Sequence, residues 1–326
     1  MTFTTDRRTM FKTAGLGLIA LSAPQIMVRA ATAQVAAASV PNPGFSRFTM
    51  GSFEITTLRD GSRVGDGPHP TFGSNQPADE VASLLEANFL PSDKFVNGFS
   101  PTLINTGAEL ILFDTGIGEG GREGGLGQTR AQLEASGYKP EDVTIVVLTH
   151  FHGDHIGGLT ESGQPAFPNA RYVTGQAEYD FWTAPERKAG PTEAAAKAVE
   201  AKVKPLADKM TFIGDGGAVV SGITGMAAAG HTPGHMVYMI ESGDKQLVLT
   251  ADTANHYVAS LQRPDWHVAF DADKEQAAAT RQKVLGLIAT DRLPFIGYHM
   301  PYPSLGYLEK IDGGYRWVAA SYQMML

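Results

Sequence analysis

Cysteine is absent from all 326 residues. That excludes disulfides, thiolate zinc sites, iron–sulfur clusters and cysteine nucleophiles together. Positive charge is scarce: 26 Lys and Arg stand against 34 Asp and Glu, for a formal net charge of −8. Nucleic acid and anionic membrane surfaces are poor partners for such a chain. The sequence has no apolar run near the ~20 residues that cross a bilayer, so no stable membrane anchor is expected. There is no fixed-period repeat, and no G-x-S-x-G to mark a serine hydrolase. With 43% of residues hydrophobic, the chain has ample material for a core. Any metal site in it must be built from histidine and carboxylate.

The first 33 residues read as an address. Arg7-Arg8 and Lys12 precede a short apolar stretch, Ala14 to Ala23, and Ala31-Thr32-Ala33 offers a small-residue cleavage site. A charged start, a short apolar run and an A-x-A end are the parts of a secretory signal. The paired arginines resemble a twin-arginine signal, which predicts export to a bacterial periplasm. Residues 34–47 read as a lead segment, and residues 48–326 as one catalytic domain.

Within that domain, short Val, Ile and Leu runs bounded by Gly, Pro, Asn or Asp predict strands. They fall at Phe53–Leu58, Thr102–Asn105, Leu110–Phe113, Thr144–Leu148, Arg171–Thr174, Met226–Ala229, Met236–Ile240, Gln246–Leu249 and Phe295–Tyr298. Helical patterns cover Ala78–Ala87, Thr129–Ala135, Ala177–Trp182, Glu193–Ala201 and Lys274–Ala289. Asp273 is the expected N-cap of the last, and Asp271 and Asp273 read as cap and turn residues. The glycine-rich stretch Gly116 to Gly127 reads as a mobile loop. The mixture predicts a layered α/β fold around a buried sheet.

The chemistry concentrates in Thr149-His150-Phe151-His152-Gly153-Asp154-His155, which follows an almost wholly aliphatic strand. Three of the nine histidines fall within six positions, with an aspartate between them. His150 and His152 leave an extended strand end on one side, so both imidazoles reach one ion; past the turn at Gly153, Asp154 and His155 serve a neighbouring position. Imidazole and carboxylate without thiolate suit zinc, with manganese, iron or cobalt less favoured. Further candidates stand at strand ends: Asp114, His231, Asp252 and His299.

These residues resemble the metallo-β-lactamase superfamily of binuclear hydrolases, whose fold is a four-layer αββα sandwich. The resemblance implies that His150, His152 and His231 bind a first metal ion, and that Asp154, His155 and His299 bind a second. Asp252 would bridge them, and Asp114 would orient a ligand histidine from behind. His235, in Gly230-His231-Thr232-Pro233-Gly234-His235, is expected to hold the His231 loop by hydrogen bonding. Within the superfamily, Phe53-Glu54-Ile55-Thr56, Thr149–Leu159, Ala166–Ala170, Gly230–His235 and Gly314-Tyr315-Arg316-Trp317 look like the methyl parathion hydrolase and acyl-homoserine-lactone lactonase branch. One departure stands out: those lactonases carry a tyrosine shortly after the bridging aspartate, where this chain has Asn255, followed by His256 and Tyr257.

The expected reaction is hydrolysis by a hydroxide held between two divalent ions. Asp154 is either a ligand alone or also the carrier of a proton to the leaving group. The expected substrate is a small-molecule lactone or ester, aryl esters included, with phosphotriesters as the alternative; the resemblance also implies a homodimer. Trp182, Phe181, His256 and Tyr257 are the first candidates for a substrate pocket, and Phe95, Phe99, Trp266, Phe270 and Tyr302 are further aromatic candidates. His69 and His267 read as ordinary polar residues. Several rivals share the motif. The bridging Asp252 speaks against a β-lactamase, and a C-terminal segment with only Arg316 against a glutathione-thioester hydrolase. The full ligand set speaks against redox enzymes on the same fold. A non-catalytic metal-binding protein is the reading from a different class, and metal content discriminates it.

Overall fold

The computed structural model describes residues 43–324. The export signal and most of the lead segment lie outside the described residues. The first strand, Phe45–Met50, already takes in the last residues of that lead, so the folded domain begins slightly earlier than expected.

Two seven-stranded sheets form the body of the domain. The first runs in the spatial order Phe45–Met50, Phe53–Leu58, Thr102–Asn105, Leu110–Phe113, Ile145–Leu148, Arg171–Gly175, Met210–Ile213. Its early pairings are antiparallel and its last three parallel. The second runs Ala218–Val220, Ile223–Ala227, Met236–Ser242, Lys245–Ala251, Phe295–Gly297, Leu305–Ile311, Gly314–Ala319, with one parallel pairing between Lys245–Ala251 and Phe295–Gly297.

The layering follows from the two-residue period of the strands. In Ile145–Leu148, Ile145 and Val147 join the core between the sheets, against Tyr238, Ile240, Leu249 and Ile296. Val146 and Leu148 face the other way and pack with Leu133, Trp182 and Val199 from helices Thr129–Ala135, Gln176–Thr183 and Glu193–Lys202. A strand buried on both faces has no polar alternate positions, which is why its sequence is a continuous aliphatic run. The second sheet repeats the arrangement: Val237, Val248 and Phe295 pack against Val284, Leu285 and Ile288 of helix Lys274–Thr290. Each fully buried aliphatic side chain here contributes about 1.5–3 kcal/mol. The result is the αββα sandwich. Among the described residues no helix is long and apolar enough to cross a membrane.

Strand and helix positions in the core match the sequence expectation closely; the strands it misses are peripheral. The antiparallel pair of Gly61–Asp66 and Lys94–Phe99 is short and lies outside both main sheets, its first strand polar and largely exposed, and Leu305–Ile311 and Gly314–Ala319 carry Glu309, Lys310 and Arg316 on a half-exposed edge. Neither pattern has the apolar run that signals a buried strand. The stretch Gly116 to Gly127 is also better anchored than a mobile loop. Buried Asp60 accepts from the N–H groups of Ile117, Gly127 and Thr129 at 2.9–3.2 Å, and Arg122 forms a bidentate pair with Glu161 at 2.6 and 2.7 Å. Gly118 and Gly127 approach so closely that a Cβ on Gly127, at φ 67°, would sit 1.9 Å from the Gly118 carbonyl oxygen.

Candidate metal centre

The ends of four sheet strands converge at one edge of the sandwich. Ile145–Leu148 leads into His150, His152 and the short helix Gly153–Ile156, which carries Asp154 and His155. Ile223–Ala227 leads to His231, Lys245–Ala251 to Asp252 and Phe295–Gly297 to His299. Two of the turns are sharp. Asp114 and Ala251, the residue before Asp252, hold φ of 60° and 43°, in the left-handed region that costs non-glycine residues about 1–3 kcal/mol.

Seven side chains form two groups. His150, His152, His231 and Asp252 place one ligand atom each within 4.8 Å of one another, and Asp154, His155 and His299 do the same. Asp252 reaches both groups: its carboxylate oxygens lie 3.3 Å from His231 Nε2, 3.1 Å from His155 Nε2, 3.0 Å from His299 Nε2 and 4.0 Å from His150 Nε2. The side chain of Asp154 stands 3.5 Å from His155 Nε2 and 3.7 Å from His299 Nε2.

The donor set fits divalent cations. His150 Nε2, His155 Nε2 and Asp252 Oδ1 are buried and make no well-aligned hydrogen bond, although the last two lie 3.1 Å apart. A buried polar atom without a partner costs about 1–3 kcal/mol, and here three of them point into the same small volume. Burial and the neighbouring His155 hold His150 well below its ordinary pKa, and burial with His231 takes His152 down to about 3. Burial also opposes charge on His231 and His155, but carboxylates prevail. Asp252 and Asp271 carry His231 up to about 9, and Asp252, Asp114 and Asp154 carry His155 well above its usual range. Asp252 is buried too, yet His299 and His155 hold it ionised well below the ordinary carboxylate range. The carboxylates of Asp114, Asp154, Asp252 and Asp271 thus surround the buried imidazoles, a donor set of the kind that binds divalent cations.

Supporting contacts fix the ligands. Asp114 Oδ2 accepts from His155 Nδ1 at 2.8 Å and from the Thr149 hydroxyl at 2.9 Å, while its Oδ1 accepts the Thr149 N–H at 2.9 Å. His235 hydrogen-bonds the Ala228 carbonyl through Nδ1 at 3.0 Å and accepts the Asp252 N–H at Nε2 at 3.1 Å. It joins the His231 loop to the Asp252 turn, and burial takes its pKa down to about 3, so it is neutral. Asn255, at the departure from the lactonase pattern, donates from Nδ2 to Asp252 Oδ2 at 3.0 Å. The Tyr298 hydroxyl donates to the Asp154 carbonyl at 2.6 Å.

Two supports, Asp271 and Glu178, and two cleft residues, Arg63 and Asn97, escaped the sequence reading. Asp271 does close a turn, its N–H donating to Val268 O at 3.1 Å, but its buried side chain does more: it accepts from His231 Nδ1 at 2.9 Å and pairs with Arg281 at 2.8 Å. Asp273 does cap, accepting the Gln276 N–H at 2.9 Å. Glu178, fully buried, accepts from Phe151 N, Trp182 Nε1, Thr232 Oγ1 and Gly234 N at 2.7–3.0 Å. The available signal was a lone glutamate four residues before Trp182 on the apolar side of a helix. Arg63 and Asn97, cross-strand partners in the pair of Gly61–Asp66 and Lys94–Phe99, line the cleft over the metal groups and carried no motif.

That cleft holds about 680 Å³, and Phe99, Ile117, Leu126, Phe270 and His152 stand in its walls. An adjoining cavity of about 590 Å³ shares Phe99 and His299 with it and is lined by Phe95, His256, Tyr257 and Tyr302. His256 and Tyr257 thus lie where a pocket exists. Trp182 and Phe181 do not: Trp182 is committed to the helical core, with Nε1 bonded to Glu178, and Phe181 packs on Trp182 and beneath Arg187. Trp266 is likewise core. His69 and His267 belong to neither metal group.

Comparison with known proteins agrees with this architecture. The family model described as the metallo-beta-lactamase superfamily matches residues 100–293. An N-acyl homoserine lactonase from Bacillus cereus is 28% identical over 151 residues, 46% of this chain and 54% of the relative. The N-acyl homoserine lactonase AttM of Agrobacterium fabrum is 30% identical over 130 residues, covering 38% and 46%. The chain thus spans about half the length of the curated relatives it matches. Among solved structures, the dizinc quorum-quenching lactonase AidC aligns with a TM-score of 0.76 at 28% identity, over 86% of this chain and 98% of that one. AbOPH, a hydrolase of the beta lactamase superfamily, aligns at 0.78 and 26% identity, over 87% and 99%. With the family model covering more than half of its length, the chain belongs to the metallo-beta-lactamase superfamily.

Proposed function

We propose that this chain is a metal-dependent hydrolase that opens lactones and cleaves esters, aryl esters included, with phosphotriesters as secondary substrates. One observation carries the reading. Seven imidazole and carboxylate groups surround a shared Asp252 at the floor of an open cleft, with buried atoms left unpaired toward the same point. Two divalent cations, zinc first by this donor set, would be held by His150, His152 and His231 and by Asp154, His155 and His299 around Asp252, supplying Lewis acidity and a hydroxide nucleophile at neutral pH.

The chain's own groups do the rest. Asp154 has its side chain a quarter exposed in the cleft, so it is the carboxylate placed to pass a proton to a departing alkoxide. Phe99, Ile117, Leu126 and Phe270 give the cleft an apolar wall for the substrate's hydrocarbon portion, while Arg63 and Asn97 offer donors for its polar atoms. Asn255 and His235 hold Asp252 in place. Lactonase activity among the matched relatives and the dizinc AidC structure support the substrate class.

The test compares turnover of zinc-loaded protein on an acyl-homoserine lactone, an aryl ester and methyl parathion, with His152→Ala as control. Lactone opening that exceeds the other two and vanishes in His152→Ala and on chelation is the expected result. Dominant methyl parathion turnover would make the chain a phosphotriesterase, and silence on all three with two metals bound would reject the substrate class. Export to a bacterial periplasm is a second proposal, supported by Arg7-Arg8, the apolar stretch to Ala23 and Ala31-Thr32-Ala33. Cell fractionation of the wild type against a double Arg7→Lys, Arg8→Lys variant tests it. Retention of only the variant in the cytoplasm is the expected outcome.

A further inference from the structure

Of the ligand histidines, His231 is braced unlike the others. His150 Nδ1 meets only the Thr149 hydroxyl, at 3.1 Å, and His299 Nδ1 a backbone carbonyl, Gly98 O, at 2.8 Å. The carboxylate behind His155, Asp114, takes its remaining bonds from the neutral donors of Thr149. Behind His231 stands a buried ion pair. Asp271 Oδ1 accepts from His231 Nδ1 at 2.9 Å while its Oδ2 takes Arg281 Nη2 at 2.8 Å. Arg281 is fully enclosed and spends its other bonds on the carbonyls of Thr253 at 2.8 Å, Pro264 at 3.1 Å and Trp266 at 2.9 Å.

The His231 loop is clamped to the same element. Ala272 N donates to His231 O at 3.0 Å, Asp273 N to Gly230 O at 2.9 Å, and Thr280 Oγ1 to Ala229 O at 2.6 Å. Gly230, at φ 131°, lies so near helix Lys274–Thr290 that a Cβ would meet Ala277 N at 2.3 Å. Burying a carboxylate and a guanidinium costs several kcal/mol per ion before pairing, and an apolar pair of similar volume often serves stability as well. The geometry gives the charged pair a directional task. An ionised carboxylate accepts and cannot donate, so it selects the His231 tautomer with the proton on Nδ1. Nε2, the other ring nitrogen, then faces the first metal group, 2.9 Å from His152 Nδ1 and 3.3 Å from Asp252 Oδ2.

We propose that Asp271, held by Arg281, is a positioning residue that fixes the tautomer and ring orientation of His231 and so sets the metal affinity of the first group. The inference rests on the reading of the cleft as a two-metal site. Cobalt titration of the wild-type protein tests that reading separately, since failure to bind two ions would reject it whatever Asp271 does.

The decisive variant is the charge-balanced pair Asp271→Asn with Arg281→Gln, which avoids stranding a buried guanidinium. Cobalt(II) affinity is measured by chelator competition. The visible bands of each site are assigned with His231→Ala, which breaks the first group, and His299→Ala, which breaks the second. The expected result is a ten- to hundredfold weaker first site with an altered band pattern, and a second site unchanged within threefold. A folded double variant whose first site stays within threefold of wild type overturns the proposal, as does equal weakening of both sites. Should the double variant fail to fold, nitrogen-15 spectra of the zinc-loaded wild type decide. They should show an exchange-protected proton on His231 Nδ1, and a rapidly exchanging or missing Nδ1 proton overturns the proposal.

Discussion

The two halves of the sandwich deliver their ligands differently. The first half delivers four from a single strand end, His150, His152, Asp154 and His155, within six residues. The second delivers three, His231, Asp252 and His299, each from its own strand end and separated by 21 and 47 positions. A compact loop needs little to hold its members in register, because the covalent chain does most of it. Dispersed ligands need ties between loops, and the second half is where they accumulate: His235 from Ala228 to Asp252, Asn255 onto Asp252, and Asp271 with Arg281 behind His231. Precision that the first half obtains from sequence proximity, the second obtains from buried polar side chains.

The largest effect should come from the residue that spans this division. Asp252 approaches imidazoles of both metal groups, whereas His299 serves only the second. Asp252→Ala is expected to abolish binding of both ions and lower hydrolysis on the order of ten-thousandfold, about 5 kcal/mol of transition-state stabilisation. His299→Ala should retain one ion and lose less activity. Metal analysis of dialysed protein, set beside turnover, reads both outcomes. One retained ion in Asp252→Ala would show that the groups are independent and that the shared carboxylate is incidental.

What the sequence made legible divides along the same line. The H-x-H-x-D-H run announces itself because its chemistry is contiguous, and the aliphatic strand before it is unmistakable because both of its faces are buried. Asp252 and His299 are legible only as carboxylate and imidazole at strand ends, and their roles come from the order of motifs in a resembling family. Asp271 and Glu178 were invisible for a physical reason: a buried carboxylate and a solvated one look alike until the fold supplies the donors around them. Trp182, expected in the pocket because the resembling family has an aromatic in that segment, is core here, since an apolar ring with one N–H suits a buried carboxylate partner as well as a substrate.

Glu178 offers the next test, because it ties the halves together at both ligand loops. It accepts from Phe151 N in the first-half loop and from Thr232 Oγ1 and Gly234 N in the His231 loop, as well as from Trp182 Nε1. Glu178→Ala would strand four donors, three of them on loops that carry ligands, for an expected loss of about 4 kcal/mol in chemical denaturation. Glu178→Gln keeps one acceptor oxygen but turns an amide donor toward others, so about half that loss is expected. A change under about 1 kcal/mol for Glu178→Ala would mean that the loops hold without the tie.

The smallest effect is a change of pH slope, and it isolates a second-half support that touches no ligand. His256 is buried beneath Phe72 with ring centroids 4.9 Å apart, and its Nδ1 accepts the N–H groups of Val258 and Ala259, both at 3.1 Å. Burial pushes its pKa from 6.5 down to about 4. Above pH 6.5 the imidazole is neutral in both folded and unfolded chains and costs nothing. As pH falls from 6.5 toward 4 the unfolded chain takes up a proton that the folded chain refuses, so stability drops, by about 2 kcal/mol at pH 5. Asn at this position still accepts from the same two N–H groups, as asparagine does at helix starts, and does not titrate. His256→Asn should therefore be as stable as wild type or slightly less so at pH 7.5, and lose about 2 kcal/mol less between pH 7.5 and pH 5 in urea unfolding. His235 and the metal ligands titrate alike in both proteins and cancel from the comparison. Parallel slopes would place the acid sensitivity of the fold in the ligand cluster itself, and would make this half's supports purely geometric.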